Sequence, residues 1–458
     1  MPTIPKTLKM SAQGQDILNA IRNSATADYR NIVPEATSDL TSLRSIGDIV
    51  MQYSAIQNEF LNALVNRIGL VLVTSKMFSN PWNMFKRGVL EYGETIEEVY
   101  TNLAKPFNFN VDTAEEKVFK RNKPDVRTAF HSLNYKKFYK VTVEEEQLRQ
   151  AFLSWNGLSD LIATIVNSMY NGAAYDEFLV MKYLLARNIL NGRLFPVTIP
   201  GVSTANMKEI TSTIKGVSND YTFPKTTYNP SGVVNTSEKT DQFLIVNSKF
   251  DAAMDVEVLA SAFNMTKAEF DGHRVLVDSF GSLDVDRLNS LMENTPNYVP
   301  LTDAELTALD TIPCVLVDRM WFMIFDNMYR MTEIYNGEGL YWNYWYHTWK
   351  TFSTSPFANA SVFISGTPTV VSVAVSPSTA TVFAGQTLSL TATVETTNFA
   401  PKTVRWSIVD PDTAIGCSVD IYGNLVVDDT VKSGTTFTVK AVSTFDATKN
   451  ASATITVG

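Results

Sequence analysis

The sequence predicts an α+β body followed by a separate all-β sandwich. Three stretches predict this: a helical apolar pattern over residues 157–192, a strand-helix-strand pattern over residues 243–277, and period-two alternation within residues 367–458. At 458 residues, the chain is also longer than one hydrophobic core normally serves. We therefore expect at least two domains of different architecture.

Composition and charge exclude several classes of protein. Apolar residues make up 45% of the chain and charged residues 19%, which is ordinary for a folded protein and unlike a disordered one. The formal net charge of -9 argues against a general nucleic-acid binder, although a local basic patch remains compatible with it. The sequence contains neither an apolar run long enough to span a membrane nor the apolar core of a signal peptide, so we expect a chain made in a reducing cytoplasm.

Residues 157–192 predict one long helix with a weak point in the middle. At 1.5 Å per residue this helix would be about 50 Å long. Asn171-Gly172 interrupts the stripe and lowers helix stability, so we expect a bend there. Asn191-Gly192 can end the helix through the left-handed conformation. The stripe consists of Leu158, Leu161, Ile162, Ile165, Val166, Met169 and Tyr170, followed by Tyr175, Leu179, Tyr183, Ala186 and Leu190.

The segment before this helix predicts an arm, a short helix and an extended excursion. Residues 1–48 are polar and thinly apolar, which is typical of an arm. Residues 49–68 have the spacing of an amphipathic helix, and residues 70–73 resemble a strand. From residue 80 to residue 143, short alternating runs are separated by turn signals, which predicts a long extended excursion.

The excursion carries an unusual distribution of charge. Eight cations lie between residues 117 and 140 against one acid, Asp125, and glutamates flank them on both sides. A solvated charge run is one interpretation, and a basic arm that pairs with acidic patches on a neighbouring subunit is the other. The residues predicted to contact a neighbouring subunit are Lys86, Arg87, Glu94, Glu97, Glu98, Lys117, Lys120, Arg121, Lys136 and Lys137.

After the long helix, the pattern predicts a mixed subdomain and a return strand. Residues 195–241 lack sustained periodicity and predict loops and short strands, whereas residues 243–277 predict a strand-helix-strand unit. Residues 314–317 and 321–325 predict further strands. The aromatic run at residues 340–349 would alternate between two apolar faces, so we expect cover on both sides. A platform that stacks on sugars or bases is the alternative.

The last 90 or so residues predict a sandwich of about seven short strands. Valine and alanine alternate with polar residues, and turn signals such as Ser376-Pro377 and Ser433-Gly434 separate the strands. Trp406 is the expected buried core tryptophan.

No motif predicts catalysis, a metal or a cofactor. The three histidines lie far apart and the two cysteines, Cys314 and Cys417, have no ligand spacing, so neither a zinc site nor a disulfide framework is indicated. Asp284 and Asp286 ahead of Glu293 could meet a calcium ion, but the glycine and ligand order of a calcium loop are missing. We expect no cofactor and a protein that is not an enzyme.

Several stretches resemble the major capsid protein of small podoviruses of the phi-twenty-nine group. They occur in order along the chain, at residues 17–24, 67–71, 256–265, 316–327, 339–349 and 357–360. Residues 370–457 separately resemble a bacterial group 2 immunoglobulin-like domain, on the stretches at 371–377, 385–387 and 404–407. The second family is broad, so its likeness implies a fold rather than a partner.

The first resemblance implies the Hong Kong-type capsid fold shared by tailed phages and herpesviruses, with the long helix as its spine. The implied division is a capsid domain at 1–366 and an immunoglobulin-like domain at 367–458. The capsid domain would comprise an N-terminal arm and first helix at 1–70, an extended loop at 80–143, the spine helix region at 144–194, an axial domain at 195–320 and a return to the peripheral domain at 321–366.

The same resemblance implies a function and a set of partners. The chain would self-assemble as pentamers and hexamers into the icosahedral head that encloses the double-stranded DNA genome, in the host cytoplasm and then in the virion. Expected partners are a scaffolding protein, a portal and packaged DNA, contacted on the inner surface without sequence specificity, and no membrane. The sandwich would lie on the outer surface. A phage fibre or cell-surface adhesin that binds through the sandwich is the alternative.

Overall fold

The computed structural model describes residues 14–53, 55–60, 63, 78–91, 95–104, 106, 126–153, 157–257, 273–296, 298–409 and 413–458. Helices and two sheets form a mixed body, and short strands form the C-terminal end. The α+β body and the all-β end are therefore both confirmed. None of the helices within the described ranges combines the length and apolar character that crossing a bilayer requires.

The helices of the body are concentrated before and between the strands. They are α1 Gly14–Ser24, α2 Ala27–Ile32, α3 Leu40–Gln52, α4 Glu145–Ala151, α5 Gly157–Leu190, α6 Met207–Asp220, α7 Ser248–Glu257, α8 Val285–Met292 and α9 Asp303–Asp310.

The long helix α5 is continuous over 34 residues and passes through Asn171-Gly172 without a break. The predicted end is confirmed, since Gly192 has φ +64° and the N–H of Arg193 donates to the carbonyl of Asn188 at 2.9 Å. In the second half of α5, buried residues face every side of the helix, including the charged Glu177 and Lys182. The bend at Gly172 stays a prediction.

The N-terminal segment is a packed helical layer, so the expectation of a thinly apolar arm is wrong for residues 14–52. Ile21 and Val50 are fully buried in one cluster with residues of α4 and of the aromatic run. Few apolar residues suffice here because polar side chains join the layer: the Asn19 side-chain amide donates to the carbonyl of Ala36 at 2.9 Å and accepts its N–H at 2.7 Å.

The helix predicted over residues 49–68 is interrupted. α3 ends before Tyr53, whose backbone is extended, and residues 55–60 are helical again. The strand predicted at residues 70–73 lies outside the described residues.

The strands of the body confirm the extended excursion and the return strands. They are β1 Lys86–Val89, β2 Ile96–Thr101, β3 Val126–His131, β4 Tyr135–Glu144, β5 Phe195–Ile199, β6 Gln242–Asn247, β7 Arg274–Val277, β8 Cys314–Asp318, β9 Phe322–Asn336, β10 Tyr341–Thr354 and β11 Ala360–Ser365.

These strands form two sheets and a ribbon. The first sheet has the order β1-β9-β10-β4, and the long antiparallel hairpin β9–β10 forms its centre. The second has the order β5-β11-β8-β6-β7, with β6 and β7 parallel, as the predicted strand-helix-strand unit requires. Among the strands that the structure describes, β2 and β3 pair only with each other, as an antiparallel ribbon. β11 belongs to the second sheet, although the implied division placed residues 321–366 with the peripheral domain.

Residues 195–241 contain more regular structure than expected. The prediction of loop and short strand misses α6, in which Met207, Ile210 and Ile214 are each at most 2% exposed. Their spacing of three and four residues is a helical stripe, but serines, threonines and lysines between them weaken the pattern.

The C-terminal end contains nine described strands. They are β12 Thr369–Ser376, β13 Thr379–Val382, β14 Thr387–Ser389, β15 Thr391–Thr397, β16 Val404–Ile408, β17 Ser418–Val419, β18 Asn424–Val426, β19 Thr436–Ser443 and β20 Asn450–Val457. Leu425, Val439 and Ile455 are fully buried between the sheets. Trp406 only packs against this core and is itself partly buried, so its prediction as the buried centre is wrong.

The sandwich is seated on the body at the end of α5. A Cβ atom on Gly192 would lie 2.5 Å from the carbonyl oxygen of Ala400, so the two backbones are in direct contact. Ala400 is fully buried, and Phe399 packs against the core of the body. Phe195 in β5 lies 6.3 Å from Phe445, measured between ring centroids. Glycine at position 192 therefore meets two requirements: it adopts the left-handed conformation that ends the helix, and it leaves room for the backbone of Ala400.

Candidate assembly surfaces

The inner face of the β2–β3 ribbon is tied to its own body. Tyr100 donates a hydrogen bond to the carbonyl of Val234, and its ring stacks on Phe357 with 5.6 Å between centroids. Arg127 on the paired strand donates to the carbonyl of Ser231. These ties hold one face of the ribbon against the loop at residues 231–234 and against Phe357, just before β11.

A buried histidine adds a further tie. His131 is 2% exposed, with Nδ1 lying 2.7 Å from the Ser353 hydroxyl and Nε2 lying 3.2 Å from a carboxylate oxygen of Glu98. The other oxygen of Glu98 accepts a hydrogen bond from Ser355 at 2.7 Å. When the ring is neutral, the tautomer that fits these distances is the one in which Nε2 donates to Glu98 and Nδ1 accepts from the hydroxyl of Ser353. Glu98, a predicted contact for a neighbour, is thus engaged within its own chain.

The outer face of the ribbon is exposed and presents three apolar side chains between Glu97, Thr101 and Thr128. Val99 is 57% exposed and Phe130 is 67% exposed, and Val126 further along β3 is 48% exposed. Glu97 lies directly opposite Phe130 in the register and makes no ion pair with any described residue. A two-stranded ribbon with one tied face and one apolar face has an unpartnered surface suited to a protein contact.

Two predicted interface residues, Lys86 and Arg87, are engaged inside the chain, and their role as subunit contacts stays a prediction. Lys86 Nζ lies 2.6 Å from a carboxylate oxygen of Asp326 and 3.2 Å from one of Glu177 in α5. Arg87 Nε donates to the carbonyl of Phe322 at 3.1 Å. Burial lowers the pKa of Arg87, and the acids Glu98 and Asp318 oppose this effect. The sequence pattern cannot distinguish these buried cations from exposed ones.

Lys86 is part of a buried charge cluster, which we define as Lys86, Glu177, Asp326 and Lys350. Lys350 also contacts both carboxylates, Glu177 closely and Asp326 at 3.3 Å. Burial lowers the pKa of Lys350, and the ammonium of Lys86 acts in the same direction. Two cations and two anions from β1, α5, β9 and β10 thus lie within ion-pair distance of one another, although Oδ1 of Asp326 accepts no hydrogen bond from a described residue. The cluster fixes the long helix against the first sheet at the bulge between Trp349 and Lys350.

The aromatic run has one covered face and one half-open face, so the expectation of cover on both sides is only half correct. Trp342 and Tyr344 are 3% and 2% exposed and pack against the N-terminal helices. On the other face, Lys140 lies 5.6 Å from the ring centroid of Trp345 and Lys136 lies 5.1 Å from that of Trp349. These ammonium groups occupy the ring faces that a stacking platform would need free.

Lys136 and Lys137 lie at the beginning of β4 and line a cavity of about 540 Å³. Of the remaining predicted contacts, Glu94, Lys117, Lys120 and Arg121 lie outside the described residues. The exposed apolar face of the ribbon was missed by sequence reasoning, although the alternation of Val99, Thr101, Val126 and Phe130 with inward residues was present in the sequence.

The described residues contain no group of three or more histidine, cysteine or acidic residues that could hold a metal ion. Asp284, part of the calcium alternative, instead caps α8, accepting the N–H of Arg287 at 3.1 Å. Cys314 is fully buried, and burial raises the pKa of its thiol.

Comparison with solved structures identifies the fold. The capsid structure of Staphylococcus phage Andhra matches with a TM-score of 0.50 and 16% identity, covering 64% of this chain and 86% of that chain. At this identity the likeness concerns the fold. The chain thus has the Hong Kong-type capsid fold of tailed phages, extended by an all-β C-terminal end.

Comparison of sequences identifies the family. The profile of the Phi29-like phage major capsid protein matches residues 18–364. The major capsid protein of Bacillus phage PZA is 35% identical over 94% of this chain and 92% of its own length. That of Bacillus phage B103 is 35% identical over 91% of this chain and 87% of its own length. The chain belongs to the Phi29-like phage major capsid protein family, and it forms the head shell of a tailed phage as part of the virion.

Proposed function

We propose that copies of this chain join into pentamers and hexamers chiefly through the outer face of the β2–β3 ribbon. The observation that carries this is the exposed apolar strip of Val99, Val126 and Phe130 on a ribbon whose inner face is already tied down. A surface held in place before association loses little conformational entropy when a neighbour binds. The charged residues around it set the register, since complementary charges specify partners more than they add affinity.

The ribbon cannot lie over the second half of a neighbour's long helix, because Leu179, Met181 and Ile189 are enclosed in their own core. We therefore place the contact on the half-open face of the first sheet, on the side of that sheet opposite α5. Phe138 and Ile334, 58% and 60% exposed on that face, provide apolar area for it.

The test is to replace Val99 by aspartate. Val99→Asp places a charge in the apolar strip without disturbing the tied face, so the monomer folds while shell formation falls sharply. Electron microscopy of purified chain, with and without a co-expressed scaffold, measures shells and capsomers. Val371→Asp is the matched control, because Val371 is an exposed valine on a strand of the sandwich. Normal shells from Val99→Asp would overturn the ribbon contact.

The basic part of the excursion has a separate test. Reversing the charge of Lys120 and Arg121 should impair assembly and leave the monomer folded, because these cations are proposed to pair with acids of a neighbour. A normal particle yield would remove these two residues from the interface.

The sandwich is proposed to project from the outer surface of the shell. Its seat on the body, as far as the described residues show it, involves the end of α5 and Phe195 of β5. Deleting residues 367–458 should still allow shells to form, and loss of all particles would mean that the sandwich is part of the shell. An adhesin that binds through the sandwich is not favoured, but glycan binding by intact particles would add that role.

The same proposal includes a portal, a scaffolding protein and packaged DNA on the inner surface as partners, and a purely structural role without catalysis. Assembly that occurs only with co-expressed scaffold would support the scaffold requirement.

A further inference from the structure

The strand β4 connects two ends of opposite charge. Lys136 and Lys137 lie at its beginning, and Glu144 lies at its end, immediately before Glu145 and Glu146. Seven residues at 3.4 Å each separate Lys137 from Glu144, which is about 24 Å. This is more than twice the screening length at physiological salt, so the two ends cannot neutralise each other within one chain.

The basic end is a cavity without a counter-charge. Its lining includes Lys136, Lys137, Leu133, Phe130 and the polar Asn294, and none of its described lining residues is acidic. Lys137 is half-buried and makes no ion pair in the described part of the chain. An ammonium that is partly removed from water without an anion is unfavourable. The cavity therefore favours an occupant that brings a carboxylate.

The acidic end carries a slim, preformed turn beside the glutamates of α4. The β9–β10 hairpin turns at Gly337-Glu338-Gly339, and the side chain of Asn336 accepts the N–H groups of Glu338 and Gly339, both at 3.1 Å. Leu340, with φ +51°, is 54% exposed. Glu338 makes no ion pair with a described residue. The turn thus presents one free carboxylate and one apolar side chain between glycines.

We propose that the hairpin tip at residues 337–340 of one copy binds in the cavity of a second copy. Glu338 then faces Lys136 and Lys137, and Leu340 contacts Leu133 and Phe130. This inference rests on the proposed function, since it names a second contact by which copies of this chain associate. It shares Phe130 with the ribbon contact but involves a different occupant, and Val99 does not line the cavity.

Size and symmetry agree with this occupant. A cavity of about 540 Å³ is larger than one carboxylate needs and lies within the range of about 300–1,000 Å³ that accommodates a multi-atom ligand. Because the tip and the cavity are different surfaces at opposite ends of one sheet, the contact is head-to-tail. Head-to-tail contacts generate closed rings when the rotation between copies closes. The same contact can thus build the rings that a shell needs.

Charge exchange tests the pairing directly. Lys137→Glu and Glu338→Lys, made separately, should each lower the yield of shells by about tenfold or more, because like charges then meet across the interface. The combined variant restores opposite charges in exchanged positions, and shells should return to near the unmodified yield. Lys432→Glu is the control: it reverses an exposed cation of the sandwich that lies neither in the cavity lining nor on the half-open sheet face. Circular dichroism and denaturant unfolding verify that each variant folds.

Two outcomes would overturn the pairing. One is a normal shell yield from both single variants, and the other is a combined variant that assembles no better than either single one. A Lys137→Glu shell that forms normally but retains less DNA would also overturn it and would assign the cavity to nucleic acid.

Disulfide trapping separates this inference from the proposed function. If the unmodified chain forms no shells, the proposed function fails, and the contact is tested with Lys137→Cys and Glu338→Cys in one chain. Concentrated chain in which Cys417 is also replaced by serine, treated with an added thiol oxidant, should then give cross-linked oligomers larger than dimers, which a chain with either added cysteine alone does not form. Absence of these cross-links would contradict the contact.

Discussion

The buried charge cluster and the two charged ends of the first sheet contain the same kinds of residue in opposite situations. In the cluster, Lys86 and Lys350 meet Glu177 and Asp326, so every charge has a partner within the chain. At the ends of β4, Lys137 and Glu338 have none among the described residues. The difference suggests a division of labour: paired charges inside fix the shape of the subunit, and unpaired charges outside are available to neighbours.

The largest expected effect comes from breaking the cluster. Lys350→Met removes one cation and leaves the carboxylates of Glu177 and Asp326 to share Lys86, so the free energy of unfolding should fall by about 3–5 kcal/mol. Denaturant unfolding of unassembled chain measures this. Lys140→Met, which removes an exposed cation from the same sheet, should cost less than about 1 kcal/mol. Equal decreases in the free energy of unfolding of the two variants would contradict the proposed difference between buried and exposed charges.

A second test concerns whether the contact between the sandwich and the body is as closely packed as the protein interior. Gly192 and Gly232 have φ +64° and +61°. Alanine at either position should therefore lower the free energy of unfolding by about 1–2 kcal/mol, because its side chain disfavours the left-handed conformation. Gly192→Ala should lower the free energy of unfolding by about 1–3 kcal/mol more than Gly232→Ala, because its Cβ would lie 2.5 Å from the carbonyl oxygen of Ala400. No described atom lies within 4 Å of a Cβ on Gly232. Equal losses, measured by thermal unfolding, would mean that the sandwich is not seated there.

The smallest effect concerns the ties of the ribbon. Tyr100→Phe removes the hydrogen bond to Val234 but keeps the stacking on Phe357. The attachment of the ribbon to the body should therefore be less stable by about 1 kcal/mol. The loss should be local. Limited proteolysis should cut the ribbon faster while denaturant unfolding of the body changes little, and Tyr422→Phe, an exposed tyrosine of the sandwich, should change neither. Unchanged cleavage of the ribbon would mean that the remaining ties suffice.

Sequence periodicity predicted the helices and strands in which apolar residues recur regularly along one face. The long helix, its end at Gly192 and the alternating strands of the sandwich follow from such local patterns. α6 and the N-terminal helices were missed because polar residues dilute their stripes and long-range hydrogen bonds such as Asn19 to Ala36 complete their packing. Periodicity contains no information about such distant partners.

The candidate interface was predictable only as a region. The excursion and its charge pattern were visible in the sequence, yet Lys86 and Lys137 look alike there. Only the fold shows that Glu177, 91 residues away, reaches Lys86, whereas Lys137 opens into a cavity. Whether a charged side chain is free to bind a neighbouring subunit depends on such distant partners. Residue type and spacing therefore could not separate the buried residues from the exposed ones among the ten predicted contacts.

The central claim is that the exposed apolar face of the ribbon becomes buried only in the shell. Hydroxyl-radical labelling of Phe130, measured by mass spectrometry in unassembled chain and in purified shells, tests it directly. Phe383, 60% exposed on the sandwich, provides the internal reference for Phe130, which is 67% exposed. The account predicts strong labelling of both residues in unassembled chain and protection of Phe130 alone in shells. Equal labelling of Phe130 before and after assembly would contradict it.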